Sequence, residues 1–69
     1  MQLVYNKKTK RIRSRGFIHE GEYTITSPNR VINKWDVSKV TGKFGNISLS
    51  YHIQDFETLR EAIDFVKTL

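Results

Sequence analysis

The sequence predicts an α+β fold: a small antiparallel β-sheet of three to five strands with one C-terminal amphipathic α-helix packed on one face. Three observations carry this. Ile47, Leu49, Tyr51 and Ile53 alternate with Ser48, Ser50, His52 and Gln54, the period-two pattern of a strand with one apolar face. Leu59, Ala62, Ile63, Val66 and Leu69 then recur at helical spacing, flanked by Phe56 and Phe65. Finally, 69 residues without cysteine must be held by a single small core, with no disulfide or thiolate metal site to staple it. Two layers around one core is the minimal arrangement that serves.

The elements follow in chain order. Leu3, Val4 and Tyr5 open an apolar run, and Asn6 to Thr9 reads as a turn because Asn favours turn initiation. From Lys10 to Ile18 the chain is first basic and then apolar. This is either the second strand of a hairpin, with Arg11, Arg13 and Arg15 on one side and Ile12 on the other, or a mobile basic arm. His19 to Glu22 is a second turn. Tyr23 to Thr26 is a strand rich in aromatic and β-branched residues, broken by Ser27-Pro28-Asn29. Val31 to Val37 is the next strand candidate, with Trp35 and Val37 sharing a face. Thr41 to Asn46 reads as a glycine-rich turn that feeds the alternating strand from Ile47. Thr58-Leu59-Arg60-Glu61 has the form of a capping box, and Asp55 and Glu57 set negative charge at the positive end of the helix dipole. The expectation is one domain over 1–69: a basic hairpin or arm at 1–16, antiparallel strands over 21–53 and a helix over 58–69. Trp35, Tyr23 and Tyr51 are assigned to the core. Ser48, Ser50, His52 and Gln54 are assigned to a free second face.

Charge is the strongest functional signal. The formal net charge is +5, and the first sixteen residues alone carry +6 through Lys7, Lys8, Lys10, Arg11, Arg13 and Arg15. The rest of the chain holds six cations against seven acids. Such segregation points to an anionic partner. Three readings are open: nucleic-acid phosphates, whose condensed counterions Lys and Arg displace; an acidic protein surface; or a solvated strand edge whose charges block aggregation. No nucleophile–base constellation is apparent and the chain is expected not to be an enzyme. His19, Glu20 and Glu22 match no metal-site spacing, so neither a metal nor a cofactor is expected. Gly42 to Gly45 lacks the lysine–hydroxyl ending of a phosphate loop.

Trp35-Asp36-Val37, the Gly42-Lys43 turn, a further strand and Phe56-Glu57-Thr58-Leu59-Arg60-Glu61-Ala62 follow one another in order. This succession resembles the three-stranded-sheet-plus-helix DNA-binding domains of phage integrases (arm-binding) and plant ethylene-response factors. The resemblance covers under half of the chain. It implies a sheet laid in the DNA major groove with the helix behind it. Here the basic residues lie upstream of the matching strands, so phosphate contacts by the N-terminal hairpin are the expectation. The candidate nucleic-acid-binding residues are Lys8, Lys10, Arg11, Arg13, Arg15, Lys34 and Lys43, with DNA ahead of RNA. The alternative is a small phage- or mobile-element-type protein that inhibits or regulates a host protein through an acidic surface or by strand pairing. Homodimerisation would add stability to so small a scaffold. Met1 to Lys10 lacks the apolar stretch of a signal peptide, and no apolar run approaches a membrane span, so a cytoplasmic protein with no membrane partner is expected.

Overall fold

A computed structural model describes residues 2–14 and 17–69. Five strands form one sheet: β1 (Gln2–Asn6), β2 (Arg11–Arg13), β3 (Tyr23–Thr26), β4 (Trp35–Phe44) and β5 (Ile47–Phe56). A single helix, α1 (Leu59–Val66), follows. The spatial order is β2-β1-β3-β4-β5 and every neighbouring pair is antiparallel. The α+β class predicted from the sequence is therefore the class observed, with the helix limited to eight residues.

Register assigns every side chain to a face, because directly opposed residues share one. Ile12, Tyr5, Tyr23, Lys39 and Tyr51 form one row across all five strands. Leu3, Ile25 and Val37 form a parallel row on the same face. Against it packs α1: Tyr5, Tyr23, Ile25, Val37, Ala62 and Val66 are the buried core, with Trp35, Ile53, Phe56, Leu59 and Ile63 around it. The rings of Phe56 and Phe65 close one end at 5.1 Å between centroids. The helix starts where the sequence puts it. Thr58 is the N-cap, and its hydroxyl oxygen accepts from the Glu61 backbone N–H at 3.2 Å. The return contact differs from a capping box: the Thr58 hydroxyl donates to the Glu61 carboxylate at 3.0 Å.

The sequence leaves residues 1–16 open between hairpin and arm; the described part is a hairpin, β1 against β2. Asn6 builds its turn, its side-chain oxygen accepting from the N–H of Lys8 (2.9 Å) and Thr9 (3.1 Å). Lys10 closes it at φ +57, a left-handed conformation that costs a residue with a Cβ roughly 1 kcal/mol. Ile12 turns to the helix face and Arg13 to the other, as alternation requires. Arg15 lies outside the described residues.

Four expectations are corrected. The strand expected from Val31 begins only at Trp35, and Val31 is 91% exposed. Asn29 is the cause: its side-chain oxygen accepts from the N–H of Val31 and of Ile32, both at 2.8 Å, which curls the segment into a turn. The glycine-rich turn shrinks to Gly45-Asn46, since β4 runs through Gly42 to Phe44. Gly45 takes φ +62 at the first central position, the pattern of a type II′ hairpin turn. Tyr51 is half exposed and outside the core, as are Ile47 and Leu49. A helix of eight residues is about 12 Å long, while ten-residue strands run about 33 Å, so α1 covers only part of the β4–β5 hairpin. Last, the second face is not free. Val4, Glu22, Thr24, Ser38 and Val40 are buried there.

The Arg13 side chain spans part of that face. The Arg13 guanidinium grips Glu22 with two hydrogen bonds, Nη1 to Oε1 at 3.1 Å and Nη2 to Oε2 at 2.9 Å, reaching across β1. Nη2 also donates to the Phe17 carbonyl, and the Phe17 ring lies under the Lys43 ammonium at 5.5 Å. Glu22 is almost fully buried (side chain 4% exposed) and Arg13 a third exposed (35%). Removing the arginine would strand a buried carboxylate. Arg13→Ala is expected to lower unfolding free energy by on the order of 3 kcal/mol, and Arg13→Met with Glu22→Leu to recover most of it, read by urea denaturation. A loss under about 1 kcal/mol for Arg13→Ala would show the pair to be dispensable. Lys10→Gly should raise stability by up to about 1 kcal/mol in the same measurement, by relieving the left-handed strain.

Candidate nucleic-acid interface

Two groups of polar side chains stand out, at opposite ends of the sheet. The first is the β1–β2 turn. Lys7, Lys8, Lys10 and Arg11 are all exposed. Among the described residues, no salt bridge reaches any of the four. The turn projects past the Tyr5–Tyr23–Lys39–Tyr51 row, beside the turn at His19 to Gly21. Gly21 takes φ +87 there, and its N–H donates to the Val40 carbonyl at 2.8 Å. Two shallow clefts flank Asn6. One is lined by Lys7, Lys8, His19, Glu20 and Gly21; the other by Thr9, Arg11, Arg13, Phe17 and His19. Phe17 is 80% exposed at the lip of the second.

Of the cations expected to bind phosphates, Lys8, Lys10 and Arg11 fall together in this patch. Arg13 adjoins it, but its guanidinium is engaged by Glu22. Lys34 lies just before β4, at the other end of the sheet, paired with Glu57 at 3.3 Å. Lys43 sits near the tip of the β4–β5 hairpin over Phe17. Lys7 belongs to the basic run that the sequence displays, whereas Phe17 is placed only by the fold, which brings it to the cleft that Arg11 also lines.

The second group is Asp36, His52 and Asp55, on the face away from the helix. His52 Nε2 lies 2.8 Å from Asp55 Oδ1 and 3.4 Å from Asp36 Oδ1, and the Ser38 hydroxyl donates to Asp36 Oδ1 at 3.2 Å. Asp36 and Asp55 are directly opposed across β4 and β5, a destabilising pairing of like charges. A protonated His52 between them offsets it. Residues three apart on a regular strand point to opposite faces. Here the register shifts beside Val37/Ser38, leaving Ile53 as an extra residue, and the bulge returns His52 and Asp55 to the same side. The same shift puts Gln54, opposite Val37, on the helix side, away from the polar face expected for it. The three ligand atoms lie within 4.8 Å of one another, so this is where the described residues could hold a cation.

The hydrogen bond to Asp55, reinforced by the charges of Asp55 and Asp36, raises the His52 pKa above its ordinary 6.5. A raised folded-state value means the stabilisation is complete below pH 6.5 and is lost as pH rises through the folded value. His52 should therefore titrate above 6.5 by NMR, and Asp55→Asn should bring its midpoint down. Unfolding free energy should decline across that window in the parent protein more than in His52→Gln. Equal slopes would exclude the bridge.

The fold and these sites define a small five-stranded antiparallel sheet backed by one short helix, with a basic turn at one end. The chain matches no protein-family model, and no curated protein or solved structure shows significant similarity to it. No helix among the described residues is long and apolar enough to cross a membrane.

Proposed function

We propose that this protein binds nucleic acid through the basic end of its sheet. One observation carries the reading: Lys7, Lys8 and Lys10 on the β1–β2 turn and Arg11 at the start of β2 stand exposed together, with no acid paired to them among the described residues. A solvated edge would need only a charge or two to prevent strand addition. Three cations on a turn fixed by Asn6, with Arg11 beside them at the start of β2, form a compact phosphate-binding surface instead. The exposed Phe17 ring beside Arg11 adds a stacking platform, and aromatic rings next to cations are the footprint of single-strand binding. Arg13 has a supporting role here. By neutralising Glu22 it keeps a buried negative charge from opposing a phosphate in the adjoining cleft.

The reaction is binding alone, driven by counterion release, and no side chain is assigned a catalytic step. Four phosphate contacts predict that log K falls with log salt at a slope of about −3 on single strands and about −3.5 on duplex. Titrations of single-stranded DNA, duplex DNA and RNA at several salt concentrations measure this. The duplex arm also tests the major-groove docking implied by the sequence resemblance. Lys8→Glu with Arg11→Glu should abolish binding and leave the fold intact, since both side chains are exposed. Phe17→Ala should weaken single strands several-fold and duplex little. Absence of binding to all three at about 50 mM salt overturns the proposal.

A further inference from the structure

We propose that two copies of this chain pair antiparallel through the open edge of β5, joining their sheets into one of ten strands. The two edges of the sheet are built differently. At β2 the edge strand is three residues long and carries Arg11 and Arg13. Shortness and charge are the usual protections against strand addition. At β5 the edge strand is ten residues long and contains neither lysine, arginine nor proline. From Phe44 to Tyr51 it and its turn have no charged residue at all.

That same segment carries the main apolar exposure of the fold. Tyr51 is opposite Lys39 on the helix face, so Leu49 and Ile47 share that face, and Phe44 opposes Ile47. The four are between 49% and 78% exposed, beyond the reach of α1. The segment is self-complementary. A two-fold axis at Ser50 sets Leu49 of one copy opposite Tyr51 of the other, with Ile47 facing the bulge at Ile53 where the regular ladder ends. On the reverse face it sets Ser48 opposite His52. Leu49 and Tyr51 then meet apolar residues and no like charges are opposed. The stripes and paired backbone of two copies bring together on the order of 1,000 Å², where specific interfaces begin.

Between Phe44 and Tyr51 the edge offers no charge to a basic or acidic partner, which favours a second copy there. The charge distribution also permits a second copy despite the net +5. The basic turn belongs to β1 and β2, three to four strand spacings from β5, about 14–19 Å. In the paired assembly the two turns lie at opposite outer edges, separated by more than the ~8 Å screening length.

Sedimentation of the nucleic-acid-free full chain over a concentration series tests this, together with amide exchange along β5. The expected result is a rise from monomer to dimer mass, with β5 amides slowing as the dimer fills. Leu49→Lys should raise the dissociation constant at least about tenfold, and Lys8→Glu, at the far edge, should leave it unchanged. The exchange measurement on the parent protein needs no variant, so it stands even if Leu49→Lys misfolds. A monomeric mass at every concentration up to about 1 mM overturns the proposal. So does a dimer whose β5 amides exchange as fast as the monomer's.

Discussion

The organising constraint in this protein is a mismatch of lengths. One helix of eight residues must cover a sheet whose longest hairpin has ten residues in each arm. At about 12 Å against about 33 Å it cannot do so. The core therefore concentrates where α1 lies, over Tyr5, Tyr23, Ile25 and Val37. The far half of the β4–β5 hairpin keeps its apolar side chains but loses the layer that would bury them. Phe44, Ile47, Leu49 and Tyr51 are core-type residues left outside by geometry.

A second layer forms on the other face, and it is electrostatic more than apolar. Arg13 reaches over β1 to Glu22 and holds the Phe17 carbonyl, which ties β2 to the chain just ahead of β3. The basic block seen in the sequence is thus divided in function. Arg13 is structural, holding the first hairpin to the start of β3. Lys7, Lys8 and Lys10 remain outside on the turn, and Arg11 at the start of β2. Their charges stand on a turn that the Asn6 side chain holds by backbone N–H groups.

The fold class was legible because each layer announces itself by a distinct period. Alternation at Ile47 to Ile53 and the three-to-four spacing from Leu59 to Val66 cannot be exchanged for one another. The helix start was legible too, since Thr58 needs only the residue three positions on to cap it. Side-chain turns were harder. Asn6 could be read as a turn former, but Asn29, which does the same at Val31 and Ile32, was overridden by the β-branched residues that follow it. The cation patch was visible as a run of charge. Which of its members are free was not, because the Arg13–Glu22 contact joins residues nine apart through the packing of three strands.

The sequence by itself determined the fold class, the start of the helix and the location of the positive charge, because periodicity, capping and composition act over a few neighbouring residues. Tertiary structure alone decided what the elements expose. The bulge at Ile53 reversed the alternation and gathered Asp36, His52 and Asp55 on one side, and a bulge is one residue of register, set by the partner strand. The short reach of α1 turned Tyr51 from a core residue into a surface one. Burial is a property of the layer above a side chain, and no local pattern encodes how far that layer extends.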